Sequence, residues 1–243
     1  MAAPTLVLLH GVGLDHTVWQ PVTGLLVDRY TVITPDLPGH GVRPPAPAGV
    51  TLSELADGVA GEIPAGSHLV GFSLGALVAQ HLAVHRPELV STLTSVASVC
   101  QRTPDERAAV LARLETAADD MAASSAASLH RWYDGTGVSP EQIARTEATL
   151  LANDRASFLN CYRVFATADA EIGPQLGQIN VPALAVTGSD DPGSTPEMTE
   201  RLAAAIPDCE AVVIPGARHM LPVQCPRELA DCLMSFIGRS VHV

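Results

Sequence analysis

The sequence predicts an α/β fold in which a mostly parallel β-sheet carries helices on both faces. Six short runs rich in Val, Leu and Ile are nearly continuous instead of alternating with polar residues, which is typical of strands buried on both sides. Helical patterns separate several of these runs, and strand–helix–strand alternation favours parallel pairing. With 243 residues, 47% of them hydrophobic, the chain is long enough for one domain with a sizeable core.

The elements follow this alternation at both ends of the chain. Apolar runs bounded by turn residues predict strands at Thr5–His10, Tyr30–Asp36, His68–Ser73, Ser91–Ser98, Ala183–Gly188 and Ala211–Pro215. Patterns with helical spacing predict helices at Leu52–Glu62, Leu74–His85, Glu197–Ala205 and Pro226–Ile237.

The middle of the chain has a different character. From about Gln101 to Asn180 there is no convincing strand, and Ala-rich patterns predict helices at Asp105–Ala123, Pro140–Ala152 and Ser157–Thr167. We interpret residues 99–180 as a helical cap inserted into a core made of residues 1–98 and 181–243. We expect this cap to pack over one edge of the sheet, with ordinary covering helices as the alternative.

Composition excludes several kinds of chemistry. All 14 Lys and Arg residues are arginine, so a catalytic, Schiff-base or phosphate-loop lysine is ruled out. The formal net charge of −12 disfavours nucleic-acid binding. The chain shows no secretory leader pattern and no apolar run near the roughly 20 residues of a membrane span. Its five cysteines show no C-x-x-C spacing, and we expect reduced structural thiols in a cytoplasmic protein.

A candidate nucleophile lies in the segment Gly71–Gly75, which fits the pattern G-x-S-x-G. The preceding residues predict a strand and the following ones a helix, so the motif sits on a sharp strand-to-helix turn where glycines relieve backbone crowding. Such a turn presents the Ser73 hydroxyl at the carboxyl end of a central strand, where open α/β sheets bind ligands. The alternative is a tight turn with a surface serine.

A serine hydroxyl needs a base to remove its proton, and histidine suits this role because its pKa lies near neutrality. His219 follows the last predicted strand, at the same sheet edge as Ser73, whereas a structural or surface role is adequate for the other eight histidines. A carboxylate must orient the imidazole. Asp190 and Asp191 both follow the preceding strand, and the usual Gly-x-x-Asp spacing selects Asp191, with Asp190 as a turn or capping residue.

An attacked carbonyl also needs preorganised donors for its developing negative charge. The backbone N–H of Leu74, directly after the candidate nucleophile, is one expected donor. The loop His10–Gly13 follows the first strand, and its glycines allow close approach of the backbone, so the N–H of Val12 is the second expected donor.

Five motifs occur in an order that resembles the α/β-hydrolase superfamily: HGVG at 10–13, DLPGHG at 36–41, GFSLG at 71–75, GSDD at 188–191 and GARH at 216–219. The resemblance covers residues 5 to about 238. Within the superfamily, the segments 129–133, 150–154 and 161–162 resemble the cap of 3-oxoadipate enol-lactonases. In that family an Arg-Trp pair faces the substrate, which implies substrate-binding roles for Arg131 and Trp132; a cap-anchoring salt bridge and a core tryptophan are the alternative.

Two features depart from this subfamily. Its members usually carry two antiparallel strands ahead of the one at Thr5, so we expect six strands here, with Tyr30–Asp36 at an edge. The family's D-x-R-G-H-G motif is replaced by DLPGHG, with Pro38 in place of the arginine.

The leading hypothesis is a serine hydrolase that cleaves a small carboxylic ester or lactone through an acyl-enzyme on Ser73, and we expect that substrate to carry a carboxylate. This chemistry implies neither a metal nor an organic cofactor. A C–C bond hydrolase of vinylogous diketones is one alternative, but such enzymes commonly read G-N-S-M-G where this chain has Phe72 and Leu74. A non-enzymatic receptor for a small ligand, built on the same fold, is another. The oligomeric state is not predicted.

Overall fold

Six parallel strands form one sheet in the computed structural model, which describes residues 3–240. The spatial order is β2-β1-β3-β4-β5-β6, and every neighbouring pair is parallel. The six-stranded sheet with the second strand at its edge is therefore confirmed. The strands are β1 Thr5–Leu9, β2 Thr31–Ile33, β3 Ser67–Phe72, β4 Val90–Val96, β5 Ala183–Gly188 and β6 Cys209–Ile214.

The edge strand β2 is shorter than the predicted Tyr30–Asp36. It ends at Ile33 because Pro35 has no N–H to donate to a sheet ladder. Asp36 leaves the strand direction and its Oδ1 accepts the backbone N–H of His16 at 2.8 Å. The apolar pattern was correct, but the proline and the aspartate end the strand early.

The sheet separates two clusters of buried side chains, as strands buried on both faces require. Val7 and Leu9 of β1 belong to one cluster, whereas Leu6 and Leu8 belong to the other. All six residues of β3 and all six of β5 are buried. The near-continuous apolar runs thus reflect burial on both sides of the sheet in its central strands. For the edge strands β2 and β6 this prediction was wrong, because their residues are mostly exposed or half-buried.

Helices cover both faces. The first cluster includes buried side chains of α2 (Leu52–Ala60), α3 (Leu74–His85) and α9 (Pro196–Ala205), and the second includes those of α1 (Gln20–Leu26), α10 (Leu221–Gln224) and α11 (Pro226–Ser240). The four predicted core helices are present. The helices α1 and α10 were not predicted, because they are only seven and four residues long and each carries a proline in its first turn.

Between β4 and β5, residues 97–182 contain helices and no strand. These helices are α4 Pro104–Asp119, α5 Met121–Tyr133, α6 Pro140–Ala152, α7 Arg155–Thr167 and α8 Asp169–Ile172. The prediction of one helix over Asp105–Ala123 was wrong. The chain is extended at Asp120 (φ −141°, ψ 99°), whose side chain accepts the N–H of Ala123 and thereby caps a second helix.

The inserted helices lie against the carboxyl edge of the sheet. The Asn153 side chain donates to the carbonyl of Gly13, in the loop after β1, at 2.8 Å. The Ser157 hydroxyl donates to the carbonyl of Gly39, in the loop after β2, also at 2.8 Å. These bonds tie the helices to two strand-end loops, while the division of the chain at residues 99 and 180 stays a prediction.

Two global features bear on the compartment. Among the described residues, no helix combines the length and apolarity needed to cross a membrane. The five cysteines are free thiols, and burial raises the pKa of Cys100 to about 11 and that of Cys161 to about 12. The cytoplasmic location stays a prediction.

Candidate active site

Ser73 stands alone between the end of β3 at Phe72 and the start of α3 at Leu74. Its backbone has φ 55° and ψ −112°, a conformation that non-glycine residues rarely adopt and that stores strain. Its N–H donates to the carbonyl of Val96 on the neighbouring strand at 2.9 Å, which holds the turn in place. The side chain is therefore presented from a rigid elbow.

The two glycines of the motif are required by crowding. A Cβ atom at Gly71 would overlap the carbonyl oxygen of Gly75, so the strand could not pass the first turn of the helix. A Cβ atom at Gly75 would lie 2.5 Å from the carbonyl oxygen of Leu9 on β1, so the helix could not start so close to the sheet. The close helix–sheet contact that exposes Ser73 thus depends on glycine at both positions.

His219 and Asp191 form a buried hydrogen-bonded pair in the loops after β6 and β5. The distance from His219 Nδ1 to Asp191 Oδ2 is 2.7 Å. The second oxygen, Asp191 Oδ1, accepts the backbone N–H groups of Gly193 at 2.8 Å and Ser194 at 3.0 Å. The carboxylate is thus held from one side by the backbone and presents its other oxygen to the imidazole.

The neighbouring carboxylate, Asp190, lies elsewhere. Its side chain is exposed, and its Oδ1 accepts the Ser189 hydroxyl at 2.7 Å. Its backbone N–H donates to the carbonyl of Ala217 at 2.9 Å, which joins the two strand-end loops. The geometry therefore brings Asp191, and not Asp190, to the imidazole.

The loop after β1 comes close to Ser73 and contains an oriented peptide unit. A Cβ atom at Gly11 would be only 3.2 Å from the Ser73 Cβ. The Gly11 carbonyl accepts hydrogen bonds from the His10 Nδ1 at 2.8 Å and from the Leu14 N–H at 3.2 Å. Because a trans peptide points its C=O and N–H in opposite directions, these bonds also fix the direction of the Val12 N–H.

His10 orders this loop, although its position in the sequence indicated only a structural or surface role. It is fully buried, and its Nε2 accepts the Leu37 N–H at 2.9 Å, so the proton must reside on Nδ1. Burial lowers the pKa of His10, which keeps the ring neutral and preserves this tautomer. Across the described residues, the N–H groups of Val12 and Leu74 donate to no other protein group.

One pocket lies between the carboxyl edge of the sheet and the inserted helices. Ser73, His219, Asp191 and Val12 line it from the core side. The inserted helices contribute mainly apolar and aromatic walls and a few polar groups, namely Leu150, Phe158, Tyr162, Phe165, Ser124 and Ser125. Such a concave, largely apolar site with a few convergent polar groups is typical of sites for small molecules.

Trp132, near the end of α5, lies against the imidazole. Its ring stacks on that of His219, with centroids 5.6 Å apart and planes 24° from parallel. The ring centroid of Phe72 lies 5.1 Å from that of the same imidazole. Two aromatic side chains, one from the core and one from the insertion, therefore pack against His219.

Arg131 also lines the pocket and is half-buried. Its Nη2 donates to the Ser128 hydroxyl at 2.8 Å, and it forms no salt bridge with any described residue. The structure thus places both Arg131 and Trp132 at the pocket, whereas a substrate-binding role for them stays a prediction.

Two further arginines at this site were not singled out from the sequence. Arg218, next to His219, donates from Nη1 to the carbonyl of Arg131 at 3.0 Å and so links the loop after β6 to the end of α5. Arg113 on α4 lines the pocket. The position of Arg218 beside His219 could have indicated its importance, but no pattern in the sequence indicated Arg113.

Residues 3–240 contain no group of three or more His, Cys, Asp or Glu side chains arranged to hold a metal ion.

Comparison with known proteins supports the relationship that the motifs indicate. Residues 6–232 match the family model described as "Alpha/beta hydrolase family". The (E)-2-((N-methylformamido)methylene)succinate hydrolase of Acinetobacter baylyi is 30% identical over 236 residues, which cover 96% of this chain and 89% of that protein. A pimeloyl-(acyl-carrier protein) methyl ester esterase of Aeromonas hydrophila subsp. hydrophila is 30% identical over 247 residues, 97% of this chain and 96% of that protein.

The resemblance to enol-lactonases is also confirmed. The 3-oxoadipate enol-lactonase 1 of Acinetobacter baylyi is 27% identical over 242 residues, which cover 97% of this chain and 89% of that protein. The similarity therefore extends through the inserted helices as well as the sheet.

Proposed function

The chain belongs to the alpha/beta hydrolase family, and we propose that it is a serine hydrolase that cleaves a small carboxylic ester or lactone through an acyl-enzyme on Ser73. One observation carries the proposal. The strained turn at Ser73 opens into the same pocket as the hydrogen-bonded pair of His219 and Asp191.

The proposed first step is attack of the Ser73 Oγ on the acyl carbon. His219 accepts the Ser73 proton on Nε2, because its Nδ1 proton is held by Asp191. The Asp191 carboxylate then stabilises the imidazolium that forms. The N–H groups of Val12 and Leu74 bind the oxyanion of the tetrahedral intermediate, and loss of one such donor typically lowers kcat by roughly a hundredfold to a thousandfold.

The second half of the reaction uses the same groups. His219 returns its proton to the leaving oxygen, which departs as an alcohol from an ester or stays attached to the acyl chain of an opened lactone. A water molecule then gives its proton to His219 and attacks the acyl-enzyme. As the resulting intermediate breaks down, His219 passes that proton to the departing Ser73 Oγ, which releases the carboxylic acid and restores the Ser73 hydroxyl.

The substrate class follows from the wall of the pocket on the side of the inserted helices. Arg131 presents a guanidinium group without a carboxylate partner among the described residues, and a guanidinium suits a substrate carboxylate. Trp132 supplies an apolar wall beside the imidazole. The names of the relatives support this choice, because they include a lactonase, a methyl ester esterase and a hydrolase of a succinate derivative.

The test compares turnover of 3-oxoadipate enol-lactone with that of short-chain p-nitrophenyl esters. Wild-type protein should cleave at least one of the two classes, and Ser73→Ala should lower kcat by several orders of magnitude with an unchanged circular dichroism spectrum. Reaction with a fluorophosphonate, followed by peptide mass spectrometry, should place the label on Ser73. Full activity of Ser73→Ala would refute the mechanism, and inert lactone beside good ester turnover would refute the lactonase assignment.

A further inference from the structure

Two arginines from different inserted helices line the pocket that holds Ser73. Arg113 lies on α4 and Arg131 on α5, and both side chains are half-buried. Arginines in such positions are normally paired, because a guanidinium removed from water without a partner is costly.

Neither arginine has an anionic partner. Within the described chain Arg113 forms no salt bridge and no side-chain hydrogen bond, and Arg131 donates only to the neutral Ser128 hydroxyl. Asp191 is the one carboxylate among the described residues that line the pocket, and its oxygens are occupied by His219 and two backbone N–H groups.

In the same helical region, two other arginines form salt bridges with a buried aspartate. Arg102, buried at the start of the insertion, has its Nη1 2.8 Å from Asp169 Oδ1, and Arg107 on α4 has its Nη2 3.0 Å from Asp169 Oδ2. Arg113 follows Arg107 on the same helix by six residues, yet has no such partner. Acidic residues outnumber basic ones by 26 to 14 in this chain, so the missing partner of Arg113 does not reflect a shortage of carboxylates.

The positive charge of Arg113 acts on Arg131. The pKa of Arg131 is lowered, first by burial and next by the positive charge of Arg113. Two like charges in a pocket walled by Phe158, Tyr162 and Phe165 destabilise each other unless an anion lies between them. A bound carboxylate would relieve the repulsion and the unsatisfied donors at once.

We propose that Arg113 is a specificity-determining residue that holds, jointly with Arg131, a carboxylate of the substrate away from the bond that is cleaved. This inference rests on the proposed function, because the carboxylate is assigned to the ester or lactone that Ser73 attacks. It identifies the substrate class as anionic acyl compounds.

The experiment compares two methyl esters that differ in one group. Methyl butyrate ends in a methyl group where monomethyl succinate carries a carboxylate, so the scissile bond and chain length are matched. The measured quantity is the ratio of kcat/KM for the anionic ester to that for the neutral ester. It is determined for wild type, Arg113→Gln, Arg131→Gln, the double variant and Arg145→Gln.

Arg113→Gln should lower this ratio by roughly tenfold to a hundredfold, mainly through a higher KM for monomethyl succinate, as expected for loss of a hydrogen bond to a charged group. The double variant should lose less than the product of the single losses, because both arginines hold one group. Arg145→Gln, which removes the same charge from an exposed ion pair with Glu141 on α6, should leave the ratio at its wild-type value. An equal effect of Arg113→Gln on both esters, or a ratio equal to that of the control, would overturn the proposal.

A binding measurement separates this proposal from the proposed function. In the Ser73→Ala background, millimolar succinate should raise Tm more than butyrate does, and the addition of Arg113→Gln should abolish that difference. If wild type cleaves methyl butyrate and Ser73→Ala does not, while succinate and butyrate have equal effects on Tm, the hydrolase stands and the anion site is refuted. If neither these esters nor 3-oxoadipate enol-lactone nor the p-nitrophenyl esters are cleaved, but succinate stabilises only protein that retains Arg113, the hydrolase proposal fails and the anion site stands.

Discussion

Replacement of Asp191 by asparagine tests how the imidazole is oriented, because the side chain keeps its shape while one oxygen becomes an NH₂ group. Asp191 Oδ1 accepts two backbone N–H groups, so the asparagine must keep its oxygen there and turn its NH₂ group toward His219. The His219 Nδ1, now 2.7 Å from a donor, must act as an acceptor. The imidazole proton then moves to Nε2, which can no longer accept the proton of Ser73.

The expected loss is large and specific to catalysis. Holding histidine in the wrong tautomer in a serine–histidine–aspartate site lowers kcat by about 10⁴-fold, which corresponds to about 5.5 kcal/mol of activation free energy. The two backbone hydrogen bonds of the original carboxylate survive, so the free energy of unfolding should change little. The assay is kcat on the best ester or lactone substrate beside thermal unfolding of the same preparation.

Asp190→Asn is the matched control, since it makes the same change of charge at the adjacent position. Its carboxylate is exposed and accepts only the Ser189 hydroxyl, so kcat should stay within a few-fold of wild type. Equal losses in the two variants would show that charge alone matters. A larger loss in Asp190→Asn would reverse their roles, and a loss below tenfold in Asp191→Asn would refute the tautomer argument.

Three further predictions follow from local geometry. Gly75→Ala should lower Tm strongly because its Cβ would meet two backbone carbonyls, whereas Gly24→Ala, with open space around it in α1, should be neutral or stabilising; comparative thermal melts decide. Burial lowers the pKa of His40 to about 3, so the unfolded chain binds the proton first as pH falls below about 6.5. The stability lost through this group by pH 5 is about 2 kcal/mol, and urea unfolding of His40→Asn should depend less on pH than wild type. Trp132→Ala should lower kcat/KM by removing the ring stacked on His219, and recovery with Trp132→Phe, but not with Trp132→Leu, would identify the stack as the cause.

The site residues that follow strands of the sheet could be predicted from the sequence, because short sequence patterns and strand order determine their positions. The helix Leu74–His85 has the predicted bounds, since the glycines on either side of Ser73 permit only one sharp turn between a buried strand and a buried helix. Asp191 and His219 follow strands of a parallel sheet, and parallel strands bring their carboxyl ends to one edge. Short-range patterns and topology were therefore sufficient for this half of the site.

The inserted helices were harder to predict because their boundaries and orientation depend on tertiary contacts. A single residue, Asp120, separates α4 from α5, and an aspartate in an Ala-rich run gives only a weak signal of a break. Arg113 looks like any solvated arginine on an amphipathic helix. Its position in the pocket depends on how α4 crosses the carboxyl edge of the sheet. The hydrophobic periodicity of the sequence does not indicate that orientation.

The core loops and the inserted helices contribute to the site in different ways. The core loops hold the reacting groups, and the inserted helices supply the charges that we expect to select the substrate. Ser73 and His219 are held by backbone crowding and hydrogen bonds within the core loops, so they need no charge from the insertion. The charges of the pocket wall come instead from Arg113 on α4 and Arg131 on α5, and replacing either arginine leaves the elbow and the imidazole pair untouched. The bond from Arg218 to the backbone carbonyl of Arg131 holds the end of α5 against the loop that carries His219. Substrate range in this protein should therefore change first through the helices, at little cost to the reaction itself.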